Sequence, residues 1–323
     1  CVGVASTLLN PEKKEEYVKA TNERNQLIRE SFFESQKQSK LLSIEDARKR
    51  GPKYVYNPVQ PNKPGVHVIN ELPIEQIINY IDWTPFFHAW ELRGSYPSII
   101  ENGKNIEAVK VFEDGKRMLE RIFELNLLSI NGVYGFFKAR STDEKVELLD
   151  SNVKFSFPRQ LVDKSKPNLC LADFISPNGD DNIGLFAVTA GHGLEEIVNN
   201  YEKDFDDYNS IMVKVIADRL AEAATEWLHE KVRKKDWGYA PKENFNNEEL
   251  IKEKYVGIRP APGYPSCPDH SEKDKIWKLL DVEKTVGISL TESRAMIPAS
   301  SVCGWYFSHP DSQYFSALKN NVT

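Results

Sequence analysis

The sequence predicts an α+β protein, and three observations lead to that prediction. The middle of the chain contains four short runs of strand-forming residues separated by Ser, Thr, Asn, Asp and Gly, at 132–140, 145–149, 169–175 and 183–189. No helical segment lies between these runs, which favours antiparallel pairing. Longer segments with apolar residues at helical spacing precede and follow them, and no linker or low-complexity tract divides the chain.

Length and charge narrow the class of protein. A chain of 323 residues can bury a large core, as one large domain or two smaller ones. The net charge of −6 and the pI near 5.7 argue against a nucleic-acid-binding surface, which normally clusters Lys and Arg. The densest basic run, 231–235, falls at the end of a predicted helix, where cations interact favourably with the helix dipole. No apolar run in the sequence reaches the roughly 18 residues of a membrane span.

The cysteines indicate neither a disulfide framework nor a zinc site. The four of them stand at positions 1, 170, 267 and 303, far apart and without CxxC spacing. Cys267 and His270 could supply half of a metal site, but no second pair of ligands has matching spacing. We therefore expect reduced thiols, no metal held by this chain, and a cytoplasmic location.

The N-terminal part predicts a charged helix and an irregular arm. Residues 11–36 have helical propensity but few apolar positions, which is typical of a solvent-exposed connecting helix. Residues 49–64 are rich in proline and should wrap over the body without regular structure. The first residue is Cys rather than Met, so we interpret the chain as a piece of a longer polypeptide.

A short helix is predicted over 73–81, where four isoleucines recur at helical spacing after a proline. Pro85 should end this helix, because a proline disfavours helical geometry in the residue before it. Asp82 then stands at the helix end beside Phe86 and Phe87, an unfavourable place for an unpaired carboxylate. Asp82 is therefore either a cap or structural ion pair, or an anion for a ligand cation.

The remaining elements follow in order. Helices are predicted over 106–126, 206–235, 247–253 and 272–286, and a final strand over 300–307. On the long 206–235 helix, Asp218 and Glu222 stand one turn apart on the same flank. Two carboxylates in that arrangement most often belong to a solvated face.

A proline-rich loop, Tyr255–His270, is the segment around which the chain is organised. Four prolines and two glycines in sixteen residues exclude a helix and interrupt a strand ladder, so the loop should be stiff and largely extended. Gly263 supplies either a positive φ or room for close backbone approach. Arg259 and Tyr264 stand on this frame, which costs little entropy to order around a ligand. The loop is either a structural crossover or a binding site.

Common catalytic and nucleotide-binding motifs are absent from the sequence. It contains no P-loop, no nucleophile elbow, no HExxH and no strand-linked GxGxxG. His192 and the other five histidines lack a triad-like context. We therefore assign no catalytic acid, base or nucleophile.

The loop segment Arg259-Pro-Ala-Pro-Gly-Tyr-Pro265 is one of a series of motifs that occur in a fixed order between residues 70 and 316. The others lie at 79–87, 171–174, 207–209, 217–223, 237–241, 290–293 and 304–310. Together these motifs resemble the activation domain of cobalamin-dependent methionine synthase. Residues 1–9 resemble the end of the preceding cobalamin module of that family.

The resemblance implies a single C-shaped α+β domain with a central twisted antiparallel sheet flanked by helices. It also implies a groove that binds S-adenosylmethionine. Arg259 would pair with the carboxylate of this ligand, and Asp82 with its ammonium group. Ala261 and Gly263 would offer backbone polar groups to the adenosine.

The resemblance also assigns roles to three aromatic residues and two acidic residues. Tyr264, Tyr314 and Phe315 would line the adenine and the sulfonium, since a ring face attracts a cation. Family members carry a Tyr pair at the last two of these positions, so Phe315 lacks one hydroxyl. Glu222 and Glu253 would lie near the sulfonium, where their negative field favours a cationic ligand.

The implied function is repair of a methyltransferase of methionine biosynthesis. S-Adenosylmethionine would methylate cobalamin after inert cob(II)alamin receives an electron from flavodoxin or a diflavin methionine synthase reductase. Cobalamin would be bound by the adjacent module of the same polypeptide, and zinc only by the homocysteine domain. We expect residues 1–35 to be the end of the cobalamin module with a linker helix. Residues 36–323 would then be the activation domain, with its C-terminal edge truncated.

Two other functions compete with this interpretation. A free-standing small-molecule methyltransferase predicts a glycine-rich loop after the first strand of a doubly wound sheet, and the sequence has none. A docking module that presents cobalamin to a flavoprotein without binding a nucleotide predicts no ordered site for the methionine zwitterion. Titration with S-adenosylmethionine separates these possibilities.

Overall fold

A six-stranded antiparallel sheet forms the centre of the computed structural model, which describes residues 2–37, 40–54, 56–103 and 105–317. Its strands are β1 (Gly65–Ile69), β2 (Ser129–Thr142), β3 (Lys145–Leu148), β4 (Lys154–Ser156), β5 (Asp181–His192) and β8 (Ser301–Tyr306). A separate two-stranded ribbon consists of β6 (Ser289–Leu290) and β7 (Met296–Ile297).

The two long strands β2 and β5 organise the sheet. The strand order is β4-β3-β2-β5-β8, and β1 pairs with the first half of β2 on the edge whose second half pairs with β3. Ala187 of β5 is opposite Val133 of β2 on one side and Cys303 of β8 on the other. The sheet is curled, as expected for long antiparallel strands with a strong twist.

Ten α-helices lie in the described residues, and most of them cover the two faces of the sheet. They are α1 (Val2–Leu9), α2 (Pro11–Lys37), α3 (Ile44–Lys49), α4 (Thr84–Ala89), α5 (Ile106–Glu124), α6 (Leu194–Lys203), α7 (Asp207–Lys231), α8 (Asn247–Ile251), α9 (Glu272–Leu280) and α10 (Val282–Val286). Within this part of the chain, no helix is both long enough and apolar enough to cross a membrane.

Alternation along β5 divides the apolar core between the two faces. Phe186 and Val188 belong to a cluster that includes the buried faces of α4, α5 and α7. Leu185 and Ala187 belong to a second cluster with α9 and α10. Because successive side chains of a strand point to opposite faces, one strand contributes to both layers.

Helix α7 crosses the first face and leads into the site. It begins where the carboxylate of Asp206 accepts the N–H of Asn209 at 3.0 Å, an N-cap that satisfies one free donor of the first turn. Its inward residues are almost completely buried, and it continues into a π-helical turn, Val232–Asp236. The basic run predicted at the end of this helix lies in that turn.

Most of the predicted elements are confirmed. The antiparallel α+β class is correct, and so are the helices at 11–36, 106–126 and 206–235 within a few residues. The strands predicted at 132–140 and 183–189 are the centres of longer strands. Four helices, α1, α3, α4 and α6, and four strands, β1, β4, β6 and β7, were not predicted.

The helix predicted over 73–81 is wrong. The segment forms two 3₁₀ turns, Ile74–Gln76 and Ile78–Tyr80, and Ile81 is extended. Apolar residues three apart suit a 3₁₀ turn as well as an α-helix, so the spacing of the isoleucines does not distinguish the two. Helix α4 starts at Thr84, where the prediction ended a helix, because proline is tolerated in a first turn.

Two further predictions need correction. The strand predicted over 169–175 is a 3₁₀ helix, Leu171–Phe174, because the carboxylate of Asp173 accepts the N–H of Cys170 at 2.8 Å and caps the turn. Arg159 holds that carboxylate in place at 2.6 Å. The helix predicted over 272–286 is broken into α9 and α10 at Asp281, which has a left-handed φ of 50°.

The proline-rich loop lies against β8 as if it were a short additional strand. Ile258 bridges Phe307, and the N–H of Trp305 donates to the carbonyl of Pro260 at 2.9 Å. A Cβ at Gly304 would lie 2.4 Å from the same carbonyl oxygen, closer than real Cβ atoms approach. Glycine at this position therefore allows the loop to reach the sheet.

We expect Gly304→Ala to lower the free energy of unfolding by about 1–3 kcal/mol, because the added methyl group displaces the loop from the strand. Urea denaturation measures this change. Gly132→Ala in β2 is the matched control, since its Cβ would make an ordinary 3.4 Å contact with Val188. Wild-type stability of Gly304→Ala would show that the loop can move without cost.

Candidate functional site

A cleft of about 500 Å³ opens between α7 and the proline-rich loop. Phe186 of β5 and Val302 of the neighbouring β8 contribute apolar side chains to its lining. Seven of the nine residues predicted to bind a ligand also line it: Glu222, Glu253, Arg259, Ala261, Tyr264, Tyr314 and Phe315.

Hydrogen bonds within the loop fix the segment that carries several of these residues. The N–H of Gly263 donates to the carbonyl of Cys267 at 2.8 Å, and the N–H of Tyr264 donates to the carbonyl of Ala261 at 3.3 Å. Gly263 has a φ of +95°, and a Cβ there would lie 2.2 Å from the ring of His270. Both reasons for a glycine at this position therefore apply. Gly263 shapes the loop but does not line the cleft, so its contact with a ligand stays a prediction.

The guanidinium of Arg259 lies in the cleft wall with only 19% of its side chain exposed. Its Nη2 forms an ion pair with Oε2 of Glu226 at 2.6 Å, and its Nη1 donates to the Tyr255 hydroxyl at 2.6 Å and to Nδ1 of His229 at 3.2 Å. Burial acts to lower the pKa of Arg259, but the Glu226 carboxylate and its neighbours raise that pKa above its usual range. The cleft wall thus holds a permanent, oriented cation.

Two carboxylates face the cleft from different elements. Glu222 stands on α7, and Glu253 follows the end of α8. Glu253 has a φ of 53°, a left-handed conformation that favours glycine, and partial burial raises the pKa of its carboxyl group. Asp218, one turn before Glu222, accepts the hydroxyl of Ser300 at 2.6 Å. Asp218 and Glu222 are both exposed, so this flank is solvated as interpreted, and Glu222 also borders the cleft.

The segment that follows β8 completes the cleft. The hydroxyl of Tyr314 accepts the backbone N–H of Arg259 at 3.0 Å, and the N–H of Ala317 donates to the carbonyl of Pro265 at 2.8 Å. Phe315 lies between these two anchors. These rings are therefore attached to the loop that carries the guanidinium.

Asp82 lies outside the residues that line the cleft. Its Oδ1 accepts the N–H of Thr84, the first residue of α4, at 2.9 Å. The preceding carbonyl, that of Ile81, accepts the side chain of Asn247 at the start of α8 at 3.1 Å. This bond between residues two apart forms an Asx turn before Trp83, the N-cap of α4, and a role of Asp82 toward a ligand ammonium stays a prediction.

Sequence reasoning missed the residues behind Arg259. Glu226 and His229 are buried in α7, one and two turns after Glu222, and Tyr255 is buried at the start of the loop. Glu222, Glu226 and His229 stand at i, i+4 and i+7 on an otherwise apolar helix, and this spacing could have indicated that Glu226 and His229 share a face with Glu222. The sequence could not show that this face contacts the loop, because tertiary packing decides which face does.

The described part of the chain contains no group of three or more His, Cys, Asp or Glu side chains that could hold a metal ion. The thiol of Cys267 contacts the carbonyl of Ser156 at 3.9 Å, and His270 packs on the loop glycine. The cleft offers a fixed cation, two carboxylates and several rings. Such a set suits a small molecule with charges of both signs.

Fold and cleft together define a small-molecule-binding α+β domain. The chain belongs to the family described as the vitamin B12 dependent methionine synthase activation domain, whose family model matches residues 73–321. It is also similar to a crystal structure of the MetH reactivation domain bound to AdoHcy, with 46% sequence identity and a TM-score of 0.83. That match covers 86% of this chain and 90% of the other. The family inferred from the sequence motifs is confirmed, and the domain is part of a methyltransferase.

We expect Glu253→Gly to raise the free energy of unfolding by about 1 kcal/mol, because glycine adopts the left-handed conformation without strain. Glu91→Gly is the matched control, since Glu91 also follows a short helix and has a φ of 57°. Thermal denaturation of the two variants should show similar gains. A loss of stability in Glu253→Gly alone would show that the carboxylate contributes to folding.

The second prediction concerns pH and His229. Burial, with Arg233 and Arg259 nearby, lowers the pKa of His229 well below its usual range, so the folded protein keeps this ring neutral. The unfolded chain binds a proton there below about pH 6.5, so the stability from this residue is complete above that pH and is lost as the pH falls. His229→Asn should make the loss between pH 6.5 and 5 shallower by up to about 1.4 kcal/mol per pH unit.

Urea denaturation at a series of pH values measures that slope. His88→Asn, at an exposed position on α4, is the control for loss of a histidine. An unchanged slope in His229→Asn would mean that His229 binds a proton equally well in the folded protein.

Proposed function

We propose that the cleft binds S-adenosylmethionine and presents its methyl group for the reductive methylation of cobalamin. The observation that supports this most is the placement of the Arg259 guanidinium beside Glu222 and Glu253 in one cleft of about 500 Å³. A free carboxylate, an ammonium and a sulfonium make S-adenosylmethionine a zwitterion with one extra positive charge. The likeness to a domain bound to AdoHcy, its demethylated product, also supports the proposal.

Each site residue would contact a particular part of the ligand. Arg259 would take the carboxylate through a bidentate pair, and Asp82 the ammonium. Backbone groups of Ala261 and Gly263 would contact the adenosine. The rings of the remaining site residues would cover the adenine and the sulfonium; these are Tyr264, Tyr314 and Phe315.

The two cleft carboxylates would act on the charge of the ligand. Glu222 and Glu253 favour the positively charged sulfonium over the neutral thioether that remains after methyl transfer. This difference assists release of the product. Methyl transfer needs no proton transfer, which agrees with a cleft in which we assign no acid, base or nucleophile.

The reaction requires groups that other parts of the enzyme would supply. Cobalamin would be bound by the adjacent module of the same polypeptide, and it would supply the methyl acceptor after one-electron reduction of its cob(II)alamin form. Flavodoxin or a diflavin methionine synthase reductase would donate that electron. Residues 1–35 would be the end of the cobalamin module with its linker helix, and 36–323 the activation domain. The zinc site would belong to the homocysteine domain.

Isothermal titration of this chain with S-adenosylmethionine and S-adenosylhomocysteine tests the proposal. We expect both ligands to bind. We expect the double variant Glu222→Gln/Glu253→Gln to weaken the binding of S-adenosylmethionine more than that of S-adenosylhomocysteine. Each carboxylate should contribute on the order of 1 kcal/mol to the preference for the sulfonium. Repeating the titrations at two salt concentrations separates a field effect from a direct contact.

Glu248→Gln/Glu283→Gln is the matched control, because both residues are exposed carboxylates outside the cleft. Equal losses for both ligands in the cleft variant would remove the electrostatic role. No binding of either ligand by the wild type would favour the alternative of a docking module without a nucleotide site.

A further inference from the structure

Three buried acceptors hold the guanidinium of Arg259 from the side away from the cleft. They are the carboxylate of Glu226, the hydroxyl of Tyr255 and the imidazole of His229, at 2.6, 2.6 and 3.2 Å. None of the three lines the cleft. We infer that they are positioning residues, which aim Arg259 so that the site selects ligands with an α-carboxylate. This inference rests on the proposed binding of S-adenosylmethionine.

The count of donors supports this role. A guanidinium has five N–H groups, and Arg259 donates two hydrogen bonds from Nη1, while its Nη2 makes an ion pair with Glu226. Among the described residues, no side-chain or backbone atom accepts a hydrogen bond from Nε or Nη2. Nε and Nη2 share one edge of the planar group, which matches the two oxygens of a carboxylate. The acceptors therefore leave one bidentate edge for a ligand.

The acceptors are themselves fixed by their neighbours. His229 stacks on Tyr306 at 5.1 Å and meets Tyr255 edge to face at 5.0 Å. Its Nδ1 is free to accept from Arg259 because burial keeps the ring neutral, and its Nε2 faces the Tyr239 hydroxyl at 3.3 Å. Rotation of any one ring would require movement of the others.

Positively and negatively charged side chains alternate on the side of Arg259 that faces away from the cleft. The guanidinium of Arg233 lies 4.0 Å from the centre of the Tyr255 ring, 3.6 Å from Glu226 and 2.8 Å from Glu243. Two cations and two carboxylates, counting Arg259, leave no net charge within this group. A ligand carboxylate therefore meets a cation whose orientation is already set, and it does not have to displace Glu226 from the cleft.

Glu226→Asp tests the role of geometry, because it keeps the charge and withdraws the carboxylate by one methylene group. The probes are S-adenosylmethionine and its decarboxylated form, which differ only in the α-carboxylate. We expect Glu226→Asp to weaken the binding of S-adenosylmethionine about tenfold, because the ion pair that orients Arg259 lengthens, and to leave the binding of the decarboxylated form within about twofold. Isothermal or competition titration of the full chain measures both dissociation constants.

A matched control lies one turn further along α7. Glu230 is also partly buried, and it pairs with Lys234 at 3.0 Å and Tyr80 at 2.7 Å without contacting Arg259. Glu230→Asp should change the dissociation constant of neither ligand by more than about twofold. Tyr255→Phe is the second variant, since it removes one acceptor and keeps the ring. Tyr255→Phe should weaken the binding of S-adenosylmethionine by roughly threefold to tenfold. This variant tests the inference if Glu226→Asp does not fold.

The outcomes separate this inference from the proposed function. Failure of the wild type to bind S-adenosylmethionine would overturn the proposed function. If the wild type binds it but does not prefer it over the decarboxylated form, Arg259 does not select the carboxylate and the inference alone is wrong. Wild-type affinity in both variants, or equal losses for both probes, would also overturn the inference.

Discussion

The buried ion pair between Arg259 and Glu226 is the interaction on which the arrangement of the cleft depends. Removing a guanidinium from water costs several kcal/mol unless an oppositely charged, hydrogen-bonded partner is close. The partner comes from α7, while the guanidinium comes from the proline-rich loop, so the pair joins two elements distant in sequence. Because the interior screens charge poorly, the pair, Arg233 and Glu243 hold helix, π-helical turn and loop in one register.

Side chains of β5 alternate between the two faces of the sheet, and this alternation shapes the cleft as well as the core. Phe186 stands among the apolar residues of the face that α7 covers, and it also lines the cleft. The change from core to cleft occurs across α7, whose apolar face packs in the core while Glu222 borders the cleft and Glu226 lies buried beside it. Facing them, the loop contributes a stiff backbone instead of another helix. The site is therefore an interruption of one core layer.

Local patterns determined most of the fold but only part of the site. Long helices and strands were predictable because their periodicity extends over many residues, as in α7 and β5. The 3₁₀ helix Leu171–Phe174 was not, because it depends on the cap that Asp173 makes to the N–H of Cys170, with Arg159 holding the carboxylate in place. In the site, Arg259 and Tyr264 stood out because they lie on a stiff loop, and the family motifs indicated the others. Glu226 acquires its importance only when the folded chain places it behind Arg259.

The hydrogen bonds that Tyr314 and Ala317 make to the loop have a consequence for how the domain matures during synthesis. The loop emerges from the ribosome some fifty residues before the segment that completes the cleft wall. Strand β8, which supports the loop, also emerges after it. A nascent chain can thus form β2, β5 and α7 while the cleft is still incomplete. The cleft wall and the β8 edge of the sheet are therefore synthesised after the other elements that surround the cleft.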